Sequence, residues 1–146
     1  MLVPSRKIFY ALEAVLFVAF NAKNGAVASR DIAERQGLPA RYLEPILQKL
    51  VRGGILKSVR GPQGGYILGR ERRRITLADI CALLDAEEAL PTATMPLGEL
   101  VLNPVLTEAQ RAWTAQLASI DMASLCEQAA AKGIAPAFET LNDFTI

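Results

Sequence analysis

The side chains able to do chemistry are unevenly supplied in this sequence. Its 146 residues include no histidine, and its two cysteines, Cys81 and Cys126, stand 45 positions apart. Histidine-based acid–base catalysis and histidine metal ligation are therefore excluded, and the thiols lack the Cys-x-x-Cys spacing of zinc or dithiol sites. Positive charge, by contrast, is abundant and grouped. Residues 1–74 hold 14 Lys/Arg against 5 Asp/Glu, and residues 75–146 hold 2 against 10, so a formal net charge of +1 conceals one basic half and one acidic half. The chemistry on offer is the binding of phosphate by the basic half. No active site, metal or cofactor is expected.

The cations gather around one glycine-rich stretch, SVRGPQGGY at 58–66. No Gly-Lys-Ser/Thr follows and no dinucleotide fingerprint is present, so the glycines do not mark a nucleotide-phosphate loop. ILKSV before the loop and YIL after it read instead as two short strands of a β-hairpin. Arg60 then stands at the hairpin tip, where an arginine can enter a narrow, strongly negative minor groove. Gly61 and Gly64 allow positive φ and close approach of the backbone to phosphates. Lys57, Arg60, Arg70, Arg72, Arg73 and Arg74 crowd this hairpin and its exit with only Glu71 among them. A charge run is ordinarily a solvated face, but six cations and one acid fit a strip that contacts a nucleic-acid backbone.

The elements that must position these residues follow from periodicity. At 51% hydrophobic and 21% charged residues, the chain is one globular domain, or one with an appended element. Ile8, Leu12, Val15, Leu16 and Ala19 predict a core-facing helix over 5–22, ended by Asn24-Gly25. Arg6-Lys7 ahead of this apolar run resembles a signal peptide. Glu13 within it, the lack of a cleavage site and its shortness argue against secretion or a membrane span, so a cytoplasmic location with free thiols is expected. Ser29 is the expected N-cap of a short helix with Ile32 and Ala33 inward, and Gly37-Leu38-Pro39 is a break. A second helix over 40–52 buries Leu43, Ile46, Leu47, Leu50 and Val51 at i, i+3, i+4, i+7 and i+8. Its opposite face carries Arg41, Glu44, Pro45, Gln48 and Arg52. Helix, tight turn and helix is the helix-turn-helix plan, and a hairpin directly after it is a wing. Pro45 brings no hydrogen-bonding side chain, leaving Arg41, Glu44 and Gln48 as the expected base readers.

The stretch SRDIAERQGLPARYLEPILQKLVRGGILKSVRGPQGGYILGRERRRITLADI resembles the Rrf-two (Rrf2) family of bacterial winged-helix regulators. The likeness covers roughly residues 1–90. It is most specific at Val59-Arg60-Gly61-Pro62-x-Gly64-Gly65-Tyr66, Asp31-Ile32-Ala33 and Tyr42-Leu43-Glu44. It implies a mainly α fold with a small β-hairpin: a winged helix-turn-helix domain over 1–85, a linker loop over 86–103, and a long dimerisation helix with a C-terminal tail over 104–146. It further implies a homodimeric, sequence-specific regulator of transcription on double-stranded operator DNA, a repressor or an activator, with repression the expected mode. The expected DNA-contacting set is Ser29, Arg41, Tyr42, Glu44, Gln48, Arg52, Lys57, Arg60, Gly61, Gly64, Arg72, Arg73 and Arg74. Family members that sense through an iron–sulfur cluster carry three closely spaced cysteines before the long helix. AEEALPTATMPLGEL at 86–100 has none, so no cluster is expected. Cys81 falls on the apolar stripe Leu77, Ile80, Cys81 and Leu84 and reads as a core residue.

The segment after Pro104 predicts a helix of about 27 residues, or roughly 40 Å. Leu106, Ala109, Trp113, Leu117 and Ile120 on one face would pack either back on their own domain or against a second copy; the resemblance favours the second copy, as a palindromic operator requires, with Phe138 and Phe144 capping the interface. Two other readings stand beside this one: a winged-helix protein-interaction module that never touches DNA, and a redox regulator acting through Cys81 or Cys126. The sequence names no effector.

Overall fold

The computed structural model describes residues 4–85 and 90–137. Within them the chain is mainly helical, with one two-stranded antiparallel sheet. Helix α1 (Arg6–Phe20) starts where the Ser5 hydroxyl accepts from the Ile8 N–H at 3.4 Å, and a single 3-10 turn at Ala22–Asn24 follows it. Its buried line is Ile8, Ala11, Ala14, Val15, Val18 and Ala19, whereas Leu12 and Leu16 of the expected stripe are half-buried. Three alanines on that line allow close approach, and α1 is the strut on which α3, α4 and α6 pack.

Helices α2 (Ser29–Gln36) and α3 (Ala40–Arg52) are joined through Gly37, whose φ of 67° ends α2 in the left-handed conformation. The expected cap at Ser29 is not formed. Ala28 occupies the extended cap position, its carbonyl accepts from Asp31 and Ile32, and Ser29 is the first helical residue. The cause is non-local: Val27 exchanges two backbone hydrogen bonds with Tyr66, which keeps the chain extended up to Ala28. Helix α3 has the expected bounds, with Leu43, Ile46, Leu47 and Leu50 buried and the helix continuous through Pro45. Strands β1 (Leu56–Val59) and β2 (Gly65–Leu68) pair with Leu56 opposite Leu68 and Val59 opposite Gly65. Helix α4 (Leu77–Leu84) opens on a reciprocal cap, Asp79 N–H to Thr76 Oγ1 at 3.1 Å and Thr76 N–H to Asp79 Oδ2 at 3.0 Å. Ile80, Cys81 and Leu84 are buried on it as expected.

The C-terminal segment departs from the expectation of one 27-residue helix. A π-helical stretch, Leu97–Leu102, leads directly into α5 (Asn103–Ala118), and the chain leaves the helix before α6 (Met122–Ala131). The π turn lies immediately ahead of Pro104, whose missing N–H and bulky ring a wider turn accommodates. The later break has a tertiary cause. Leu77 N–H donates to the Ile120 carbonyl at 3.0 Å and Met122 N–H to the Ile75 carbonyl at 2.9 Å, while the Asp121 carboxylate caps α6 by accepting from Ser124 N–H at 2.8 Å. These bonds fold α6 back onto α1 and the Arg72–Arg74 turn. The stripe expected to meet a partner is therefore largely used within the chain: Leu117 is buried in the core, Trp113 packs against it, and Leu106 and Ile120 are half-buried. Left exposed instead are Met95, Leu97, Leu100, Val101, Leu102 and Val105, at 54–71%. Phe138 and Phe144 lie outside the described residues. Among the described residues, no helix is long and apolar enough to cross a membrane.

Candidate nucleic-acid interface

Around α3, at about 100° per residue, buried Leu43, Ile46, Leu47 and Leu50 take one side. Exposed Arg41, Glu44, Pro45, Gln48 and Arg52 take the other. Tyr42, 45% exposed, sits at the edge of this face with its ring edge-on to Tyr10 of α1, 6.3 Å between centroids at 90°. The Tyr10 carbonyl accepts from Gln36 Nε2 at 3.0 Å, and the same nitrogen donates to Glu13 Oε1 at 3.0 Å. The first turn of α3 is thus braced against α1 and α2.

Helix α3 runs through Gly53-Gly54 and Ile55 into the wing. At the wing tip Gly64 N–H donates to the Gly61 carbonyl at 2.9 Å, and Gly61 has φ 114°. A Cβ on Gly64 would strike the Val59 carbonyl, and one on Gly65 would strike the backbone of Val27. The sequence predicts glycines here for positive φ and for close approach to phosphates. The structure gives Gly64 and Gly65 a further purpose: they close the turn and dock the wing onto Val27, where Tyr66 N–H donates to the Val27 carbonyl at 2.7 Å. This third edge of the wing was missed because a lone valine between Ala26 and Ala28 carries no strand pattern. Arg60, directly after β1, is exposed and makes no ion pair among the described residues. Lys57 is exposed on β1.

The cations at the wing exit divide. Arg70 pairs with Asp79 at 3.7 Å and donates to the carbonyls of Arg74 and Gly53 at 3.4 and 3.5 Å, so it fastens the wing exit to the end of α3. Arg72, Arg73 and Arg74 form an exposed 3-10 turn. Arg72 lies close enough to Cys126 for its positive charge to be felt at the thiol, and both border a cavity of about 450 Å³ shared with Lys23 and Glu127. Burial pushes the Cys126 thiol up, outweighing the opposite pull of Arg72, and burial with the nearby Asp85 charge pushes Cys81 up as well. Both stay protonated at neutral pH, which is the opposite of an activated thiolate.

A family model described as Rrf2, iron-dependent transcriptional regulator, matches residues 4–128. The chain belongs to the Rrf2 family. That family consists of transcriptional regulators rather than enzymes. Among curated Rrf2 relatives, the HTH-type transcriptional regulator IscR of Xenorhabdus nematophila is 45% identical over 76 residues, covering 52% of this chain and 46% of the relative. IscR of Cronobacter sakazakii is 42% identical over 76 residues, covering 52% and 47%. The chain thus matches about half the length of these relatives. Solved structures extend the likeness: IscR of T. potens superposes with a TM-score of 0.73 at 35% identity, over 87% of this chain and 88% of that one. CymR, the global cysteine regulator of B. subtilis, gives 0.71 at 28% identity over 88% and 98%. Both support the winged-helix fold. The donors present here do not fit the iron–sulfur cluster used by some Rrf2 members. The chain has no histidine, Cys81 and Cys126 are buried on separate helices, and residues 90–100 offer no thiolate. Among the described residues, no three His, Cys, Asp or Glu are placed to share an ion.

Proposed function

We propose that this Rrf2-family chain is a sequence-specific DNA-binding regulator that acts as a homodimer on operator DNA and represses transcription without an iron–sulfur cluster. One observation carries the reading: an outward polar and basic α3 face stands next to a wing that is locked to Val27 yet leaves Arg60 exposed at its tip, outside the ion pairs found among the described residues. A plain surface helix needs no such wing. In the proposed complex Arg41, Glu44 and Gln48 meet base edges in the major groove and Arg60 enters the minor groove. Ser29, Tyr42, Arg52, Lys57, Arg72, Arg73, Arg74 and the backbone at Gly61 and Gly64 line the phosphates. The exposed apolar side chains at 97–105 supply the dimer contact, and repression is the mode proposed because such a dimer, seated on an operator that overlaps a promoter, blocks polymerase.

Selection of bound sequences from random duplexes, followed by anisotropy titration, tests this. Arg60→Ala is expected to weaken binding to the selected operator about tenfold or more, and binding to random duplex far less. An unchanged operator affinity removes the wing from the mechanism. If the wild type enriches no duplex even at low salt, the DNA reading fails and a protein-interaction module takes its place.

A further inference from the structure

We infer that Pro45 is itself a specificity residue, and that it selects thymine through the C5 methyl group. The inference rests on α3 being the recognition helix. Around the helix axis Pro45 lies about 20° from Arg52, 40° from Arg41 and 60° from Gln48, and about 140–160° from Leu50 and Leu43. It therefore points almost directly away from the core, at the middle of the outward face and within the N-terminal half of α3, the part of a recognition helix that reaches base edges. An interior proline forfeits the bond to the Arg41 carbonyl and strains the turn. Its ring is exposed, so core packing offers no return. On a face that met only water, almost any other residue would give a better helix.

At the floor of a major groove the ring has a use. It can neither donate nor accept, so cytosine N4–H₂ or a purine N7 beneath it would be desolvated without a partner. The major groove offers one apolar group, the thymine methyl, and a saturated ring covers it at no polar cost. The flanking Arg41 and Gln48 carry the side-chain types suited to guanine and adenine. Each half-site is accordingly expected to contain a thymine beside bases read by those two residues.

The test uses the full-length protein and its selected operator, with each thymine replaced in turn by deoxyuridine, which removes only the methyl. One thymine per half-site should show a loss of about fourfold in wild-type affinity on replacement. Pro45→Ser should bind the two forms equally, and Pro45→Gln should shift the selected base at that position toward adenine. Both variants lose an interior proline and should melt at or above the wild-type temperature, which confirms that they fold. If no thymine methyl matters, or if Pro45→Ser keeps the fourfold penalty, the inference is wrong while DNA recognition stands. A wild-type protein that enriches no duplex overturns both.

Discussion

Two helical faces of this chain point away from its core, and they differ in what their exposure means. The outer face of α3 presents Arg41, Glu44, Gln48 and Arg52, side chains at home in water. The stretch from Leu97 to Val105 presents Leu97, Leu100, Val101, Leu102 and Val105. Each of these is more than half exposed, and covering what remains in water would return about 1–2 kcal/mol. So many exposed large apolar side chains within nine residues call for a partner by themselves. The charged face acquires meaning only from its surroundings, namely the docked wing and the cations at its exit. Apolar exposure thus identifies a need for contact, whereas charge identifies only a field.

The contrast breaks most visibly if the apolar face is made polar. Leu100→Asp combined with Val101→Asp is expected to convert a dimer into a monomer in sedimentation at micromolar concentration. Operator affinity should fall at least about a hundredfold, because two linked half-site contacts become one. Trp113→Ala is the matching control: Trp113 packs against the chain's own core, so its loss should lower stability and leave the dimer intact. A wild-type protein that is already monomeric, or a double variant that remains dimeric, would remove the partner from this face.

The next effect in size concerns how the wing is held. Gly65 has φ 155°, and a Cβ there would collide with Val27. Gly65→Ala is therefore expected to cost about 2–4 kcal/mol through overpacking and strain, read as a lowered denaturation midpoint at unchanged slope. Operator affinity should fall with it, since an undocked wing no longer aims Arg60. Full stability would mean that the pairing of Val27 with Tyr66 does not depend on this close approach.

What could be read from the sequence follows the reach of the forces involved. The bounds of α3 were legible because Leu43, Ile46, Leu47 and Leu50 repeat at helical spacing between Pro39 and Gly53, and the wing because Gly-Pro-Gln-Gly-Gly separates two apolar runs. The capping of α2 was not legible: Ser29 is a good capping residue by type, yet the pairing of Val27 with Tyr66 decides where the helix begins. The break between α5 and α6 was hidden for the same reason. Ser119-Ile120-Asp121 contains neither glycine nor proline, and bonds to Ile75 and Leu77, more than forty positions away, stop the helix there. In the candidate site the cations were legible as a group, but not their division into held and free. Nothing local distinguishes Arg70, committed to Asp79 and two carbonyls, from Arg73 three residues later.

That division sets the smallest and most discriminating expectation. Arg73 lies on the exposed turn, in neither of the ion pairs found among the described residues, so as a phosphate contact it carries no sequence information. Arg73→Ala should weaken binding to every duplex alike, by about three- to fivefold at moderate salt, and should flatten the slope of log affinity against log salt by about one. Arg70→Ala should do something different. Its guanidinium is occupied within the fold, so the loss should appear first in stability and leave the salt slope nearly unchanged. Should the two variants show the same slope, the separation of the strip into a structural cation and a phosphate contact is wrong. A loss on Arg73→Ala confined to one sequence would instead make Arg73 a reader of bases.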